Sequence, residues 1–298
     1  MSAIIKKELR GYFNSWLGYI FLFIFVGIIG IFFTFSNLAG QNGDFQYTLS
    51  SLTMFQLILI PVLTMRLFSE EARQRSDQLL FTAPVTVTAI VMGKFLSAFI
   101  LACIALALTA LFPLMISPYG ALPYAQILTQ YLGYVLLIAC FISVGMFIST
   151  CTENQIVAAV ITALAIFFML IMDAIANAVN GAVTNSSASS SSASFVSIAF
   201  VVVVIALLAY LLYDSTKNLY IGAISALVLI AAAAALYVLY PTLFDGIIVK
   251  VTQWLSVMTK FSNFSNGILN ISDIVYYISF TGAFIYLSIN TIEKRRWK

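Results

Sequence analysis

Eight apolar stretches alternate with short polar connections along the chain: 17–35, 51–68, 89–116, 127–150, 156–176, 195–213, 219–240 and 271–292. A helix rises ~1.5 Å per residue, so about 20 apolar residues cross the ~30 Å of bilayer hydrocarbon. The stretch 89–116 is longer than that, and Pro113 near its end predicts a tilt or a bend. The pattern predicts an all-α fold, a polytopic transmembrane helical bundle of about eight spans, with 1–298 as a single membrane domain. Two amphipathic pieces accompany the spans. In 1–13, Ile4, Ile5, Leu9 and Tyr12 alternate with Lys6, Lys7 and Arg10, the pattern of a helix lying in the membrane interface. In 245–264, Ile247, Ile248, Val251, Trp254, Leu255, Met258 and Phe261 recur with helical period among Lys250, Gln253 and Lys260, predicting a second such helix, interfacial or re-entrant. The segment 177–194 turns to Ser, Ala and Asn; it is too polar to pack and is expected to be a flexible external loop.

An even number of spans places both termini on one side, and the basic residues say which. Lys6, Lys7, Arg10, Arg66, Arg73, Arg75, Lys94, Lys217, Lys294, Arg295, Arg296 and Lys298 fall on the terminal side; only Lys250 and Lys260 fall on the other. Cytosolic loops carry the excess of Lys and Arg, so both termini are expected in the cytosol. Arg66 and Lys94 sit slightly inside their spans and are expected to snorkel to the interface. Trp297, among basic residues, is expected to anchor the last span there.

Composition closes several alternatives. With 62% hydrophobic and 8% charged residues and a mean hydropathy of +1.05, the balance is that of a membrane protein rather than a soluble domain. The apolar run that begins at Leu17 exceeds the ~7–15 residues of a signal core, so no cleavable signal is expected. Histidine is absent, which removes the commonest metal ligand and neutral-pH acid–base group. Cys103, Cys140 and Cys151 show no metal-site spacing and read as small buried hydrophobes. The methionines are scattered over several spans and read as packing. No phosphate-cradling Gly-rich loop and no Ser/His/Asp set occurs, so neither catalysis nor a cofactor is expected in this chain. No nucleic-acid partner is indicated either.

The densest charge cluster is Glu70, Glu71, Arg73, Arg75 and Asp77, lying between two apolar stretches. It must stand in water. Glu71–Arg75 and Arg73–Asp77 are opposite-charge pairs at i,i+4. Phe68, Ala72, Leu79 and Ala83 fall near one stripe. Pro84 stops the helix, since it lacks an N–H and crowds the preceding turn. An amphipathic cytosolic helix over 69–83 is therefore predicted, held between two spans, and shaped for a soluble partner to push on.

The order Phe68-Ser-Glu-Glu71, Asp77-Gln-Leu-Leu80, Pro84 and Gly93-Lys94 resembles the coupling-helix region of ABC exporter permeases of the second export type, most like the gliding-motility-type subunits. Thr152-Glu-Asn-Gln-Ile156, then Asp273-Ile-Val-Tyr-Tyr277 and Glu293-Lys-Arg-Arg-Trp297, extend the resemblance, which covers about 1–176 and 245–298. It departs in the middle: such permeases typically have six spans, and 195–240 looks like an inserted hairpin. The resemblance implies a permease subunit in a bacterial cytoplasmic membrane, embedded in lipid and paired with a second permease copy or homologue. It also implies a separate ABC ATP-binding subunit that holds ATP and Mg. The coupling residues it implies are Phe68, Glu70, Glu71, Asp77, Leu79, Leu80 and Pro84. Asp173, late in the fifth span, lines the substrate path on one reading and reaches external headgroups on the other. A secondary transporter or channel is the rival class; it predicts internal repeats and ionisable residues at midplane, and only Asp173 answers to that.

Overall fold

The computed structural model describes residues 2–40, 45–74, 86–117, 123–185 and 256–296, and among them the chain is helical, with no strand. The helices are α1 (Ser2–Asn14), α2 (Trp16–Phe33, prolonged by a π-turn over Thr34–Ala39), α3 (Phe45–Thr64), α4 (Ser69–Gln74) and α5 (Val87–Thr109). They continue as α6 (Leu111–Ile116), α7 (Tyr124–Cys151), α8 (Gln155–Asn185), α9 (Val257–Ser265) and α10 (Ile271–Arg296). Six segments among the described residues are long and apolar enough to cross a membrane: Gly18–Ala39, Phe45–Arg73, Val87–Ile116, Tyr124–Cys151, Gln155–Met172 and Ile271–Lys294. The two remaining predicted spans, 195–213 and 219–240, lie outside the described residues, as does Trp297. The chain forms two compact units, 1–168 with 260–298, and 169–259. The described parts of the second are 169–185, where α8 continues, and 256–259, the opening turn of α9.

In the first unit α7 is the central helix, packed against α3, α5 and α10. About 72% of its apolar window is buried, against 28% for α2 and 22% for α10. Leu137, Ile138, Phe141, Ile142 and Met146 are fully enclosed on it. Lipid tails are as apolar as leucine, so helices in a bilayer associate through close packing and polar contacts rather than through hydrophobicity. Both devices are present. Gly133 lets the Phe264 side chain lie directly on the α7 backbone, where a Cβ would stand 2.5 Å from Phe264 Cβ. Gly145 does the same for Thr64 of α3 and Thr162 of α8.

Element limits depart from the apolar pattern where polar residues find partners. The bend expected near Pro113 falls at Ala110, between α5 and α6, because the proline ring crowds the carbonyl four residues back, that of Thr109. Helix α3 starts at Phe45, six residues before the apolar stretch begins. Its polar first turns are satisfied inside the protein: Thr48 Oγ1 donates to Asn37 Oδ1 at 2.6 Å, and Gln46 and Ser50 meet Ser265. Helix α8 runs on to Asn185, so the first part of 177–194 is helical rather than loop. Cys140 is buried as expected, but Cys151 is exposed, since it is the last residue of α7 and lies past the packed region.

Candidate functional site

The charged helix is built onto the bundle at its first turn. Leu67, Phe68 and Ser69 are buried where the chain leaves α3. A helix start leaves N–H groups without intrahelical partners, and here a neighbouring helix supplies the acceptor. The N–H groups of Phe68 and Ser69 donate to Ser149 Oγ in the last turn of α7, at 3.1 and 3.2 Å. Ser149 Oγ donates in turn to the Met65 carbonyl at 3.3 Å, to which the Ser69 hydroxyl also donates. The start of α4 is thus tied to α3 and α7 together.

The acidic residues of α4 face different environments. Glu70 meets Arg66 at 3.9 Å, with both side chains more than a third exposed, a pair worth only a few tenths of a kcal/mol. Glu71 meets Lys94 of α5 at 2.9 Å. The expectation that Lys94 snorkels to the interface is overturned: its side chain is 2% exposed. The ammonium donates to the Leu67 carbonyl at 2.6 Å and to Glu8 Oε1 of α1 at 3.3 Å, and stands 5.0 Å above the Phe68 ring. A buried cation is tolerated when its hydrogen-bonding and charge requirements are met locally, and here all three N–H donors have acceptors.

Helix α1 packs on α5 and α2. Ile4, Glu8 and Tyr12, at four-residue spacing, form its inward face. Ile4 occupies the space left by the missing side chain of Gly93, and the buried Tyr12 hydroxyl donates to the Leu63 carbonyl at 3.4 Å. Burial raises the pKa of that hydroxyl, and the nearby Glu8 carboxylate raises it further, so it stays neutral and donating. A cleft of about 230 Å³ lined by Glu8, Gly11, Tyr12, Ser15, Arg66 and Glu70 opens beside it. Arg73 of α4, Glu153 and Asn154 just before α8, and Ile156 in its first turn line a second cleft.

Of the residues singled out in the sequence, Phe68 and Glu71 are brought together around Lys94, and Glu70 points away to Arg66. Asp77, Leu79, Leu80 and Pro84 lie outside the described residues, as does Arg75. Asp173 falls on α8, and its side chain lies outside the described ones. Sequence reasoning missed Ser149, Glu8 and the inward fate of Lys94. Glu8 left one usable signal: it is the single acidic residue of a basic helix, placed on the stripe between Ile4 and Tyr12.

The far end of the first unit carries a second polar cluster. Gln126 Nε2 donates to Gln46 Oε1 at 2.7 Å and to the Ser265 carbonyl at 3.1 Å. Gln130 Nε2 donates to the Gln46 carbonyl and to Ser50 Oγ, both at 3.0 Å, and Thr129 Oγ1 to the Phe264 carbonyl at 3.1 Å. The last turn of α9 is thereby fastened to the starts of α3 and α7. No group of three or more metal-ligating side chains occurs among the described residues.

Apolar helices around a closely packed central one, with a short charged helix pinned at one end, make this a multi-pass α-helical membrane protein. The family model of the ABC-2 family transporter proteins matches residues 34–185, just over half of the chain, and the chain belongs to that family. Membership makes it an ABC transporter permease and implies an ATP-binding subunit as partner. No curated protein matches the chain, and no solved structure does.

Proposed function

We propose that the chain is the membrane permease of an ATP-driven exporter of the gliding-motility type, sitting in a bacterial cytoplasmic membrane with both termini in the cytosol. A separate subunit binds ATP and Mg and performs hydrolysis, and two permeases, copies or homologues, act together within the lipid. The segment 69–83 is the coupling helix. Leu79 and Leu80 fill an apolar cleft on the ATP-binding subunit, each contributing on the order of 1.5–3 kcal/mol if fully buried. Glu70, Glu71 and Asp77 set the register, Phe68 seats the helix on the bundle, and Pro84 ends it. Asp173 belongs to the translocation path.

One observation supports this reading above the others: the first turn of α4 is bonded at once to α7 through Ser149 and to α5 through Glu71 and Lys94. A push on that helix is carried into three spans instead of being lost in a slack connector. Two states of the bundle need differ by only a few kcal/mol for a partner to switch them. The basic residues gathered on the terminal side support the orientation.

The test uses Leu79→Ala with Leu80→Ala, reconstituted with the ATP-binding subunit. Loss of coupled ATP turnover in a variant that still inserts is expected. Normal turnover would mean that 69–83 is a solvated connector.

A further inference from the structure

The Lys94 ammonium takes its acceptors from separate parts of the chain: Glu8 of α1, the Leu67 carbonyl at the end of the second span and Glu71 of α4. Lys94 itself lies two turns inside α5. Two carboxylates thus converge on one enclosed cation. Without it they would face each other across a buried gap, and like charges at that range push apart. On the α1 side the contact is continued by Ile4 over Gly93 and by Tyr12 to Leu63, so one helix face is fastened along its length. A helix that merely floats in the interface needs no acid on its inner face, and the Glu8 side chain is largely covered, at 19% exposed.

We propose that Lys94 and Glu8 are positioning residues for energy coupling: they clamp α1 to α4 and α5, so that the N-terminal helix moves with the coupling helix and carries its displacement into the first span. The functional half of this rests on the coupling reading of 69–83; the clamp itself does not. Glu8→Gln is the discriminating variant, because it leaves the Lys94–Glu71 pair and the Ser149 cap in place. Lys94→Met is the stronger one. Lys94→Met combined with Glu8→Gln and Glu71→Gln removes the repulsion along with the cation.

The experiment has two arms. In the first, the full chain in liposomes carries nitroxides at Lys7→Cys and Thr88→Cys, both exposed positions, in a Cys151→Ser background, and the inter-label distance is measured without any partner. A single narrow distance is expected in the parent, a broad one in Glu8→Gln and Lys94→Met, and a narrowed one in the triple variant. In the second arm the ATP-binding subunit is added. Glu8→Gln is expected to retain it while coupled turnover falls about tenfold, the effect of a modest coupling energy. An unchanged narrow distance in both Glu8→Gln and Lys94→Met overturns the clamp. A broadened distance with full turnover overturns the role in coupling. Failure of the parent chain to engage the subunit would refute the coupling reading of 69–83 and the coupling role with it, while the distance arm still decides the clamp.

Discussion

Lys260 Nζ lies 3.1 Å from Asp273 Oδ1, and the two partners are unequally placed: the lysine side chain is 23% exposed and the aspartate 1%. The other carboxylate oxygen of Asp273 accepts from Asn263 Nδ2 at 2.8 Å. The inequality predicts an asymmetric response to mutation. Lys260→Met strands a charge that cannot reach water, which costs about 3–5 kcal/mol. Asp273→Asn frees a lysine that can turn outward, and costs closer to the ~1–3 kcal/mol of an imperfectly replaced hydrogen bond. Thermal unfolding of the two variants in detergent should rank them in that order. The reverse ranking would mean that Asp273 reaches water.

A second prediction concerns α7 and α9. A Cβ added at Gly133 would meet Phe264 Cβ at 2.5 Å and its Cγ at 2.7 Å. Cβ is fixed by the backbone, so no rotamer change moves it away. Gly133→Ala should therefore displace α9 and destabilise by about 1–3 kcal/mol, the usual range for overpacking. Gly27 of α2, where an added Cβ would meet nothing within 4 Å, is the control and should tolerate alanine. Equal stability of the two variants would show that α9 does not rest on α7.

How far the sequence reached follows from the range of the interactions involved. Among the described residues the apolar spans were readable because bilayer length and hydropathy act residue by residue. The break before Pro113 was readable because the proline acts on its own preceding turn. The start of α3 was not: Gln46 and Ser50 look like loop residues until Ser265, more than two hundred positions away, is placed beside them. Lys94 failed for the same reason. From sequence it is a lysine near a membrane surface, and only the packing of α1 shows Glu8 waiting 86 positions upstream. Ser149 carries no pattern at all, because a serine in an apolar helix is silent until a helix start is brought against it.

Gln56 gives a third prediction, of opposite sign. It is fully buried on α3, and neither atom of its amide has a hydrogen-bond partner of good geometry. The Tyr134 hydroxyl, on α7, is also without one, although the Gln56 side chain lies beside it. An unmet buried polar group costs about 1–3 kcal/mol, whereas an apolar replacement of similar shape escapes that cost. Gln56→Leu should raise the melting temperature of the purified protein, and Tyr134→Phe should do so to a smaller extent. A fall in stability for Gln56→Leu would show that the amide and the Tyr134 hydroxyl close into a bond in the membrane.

The last prediction is a pH dependence at α1. The Tyr12 hydroxyl is held above its ordinary pKa of 10.0 by burial first and the Glu8 carboxylate second, with Arg66 opposing. A group whose proton is bound more tightly in the folded state adds stability that is complete below its unfolded pKa. That contribution is lost as pH rises past about 10, because the unfolded chain then sheds a proton the folded chain must keep. Below that value the tyrosine adds no slope. Comparison of the parent with Tyr12→Phe isolates this effect from the other buried tyrosines, which are common to both. The difference in unfolding temperature should be constant from about pH 7 to 9, reflecting the hydrogen bond to Leu63 alone, and should shrink steadily above pH 10. A difference that stays constant through pH 11 would mean that the hydroxyl ionises freely, and that α1 does not seal it against the end of α3.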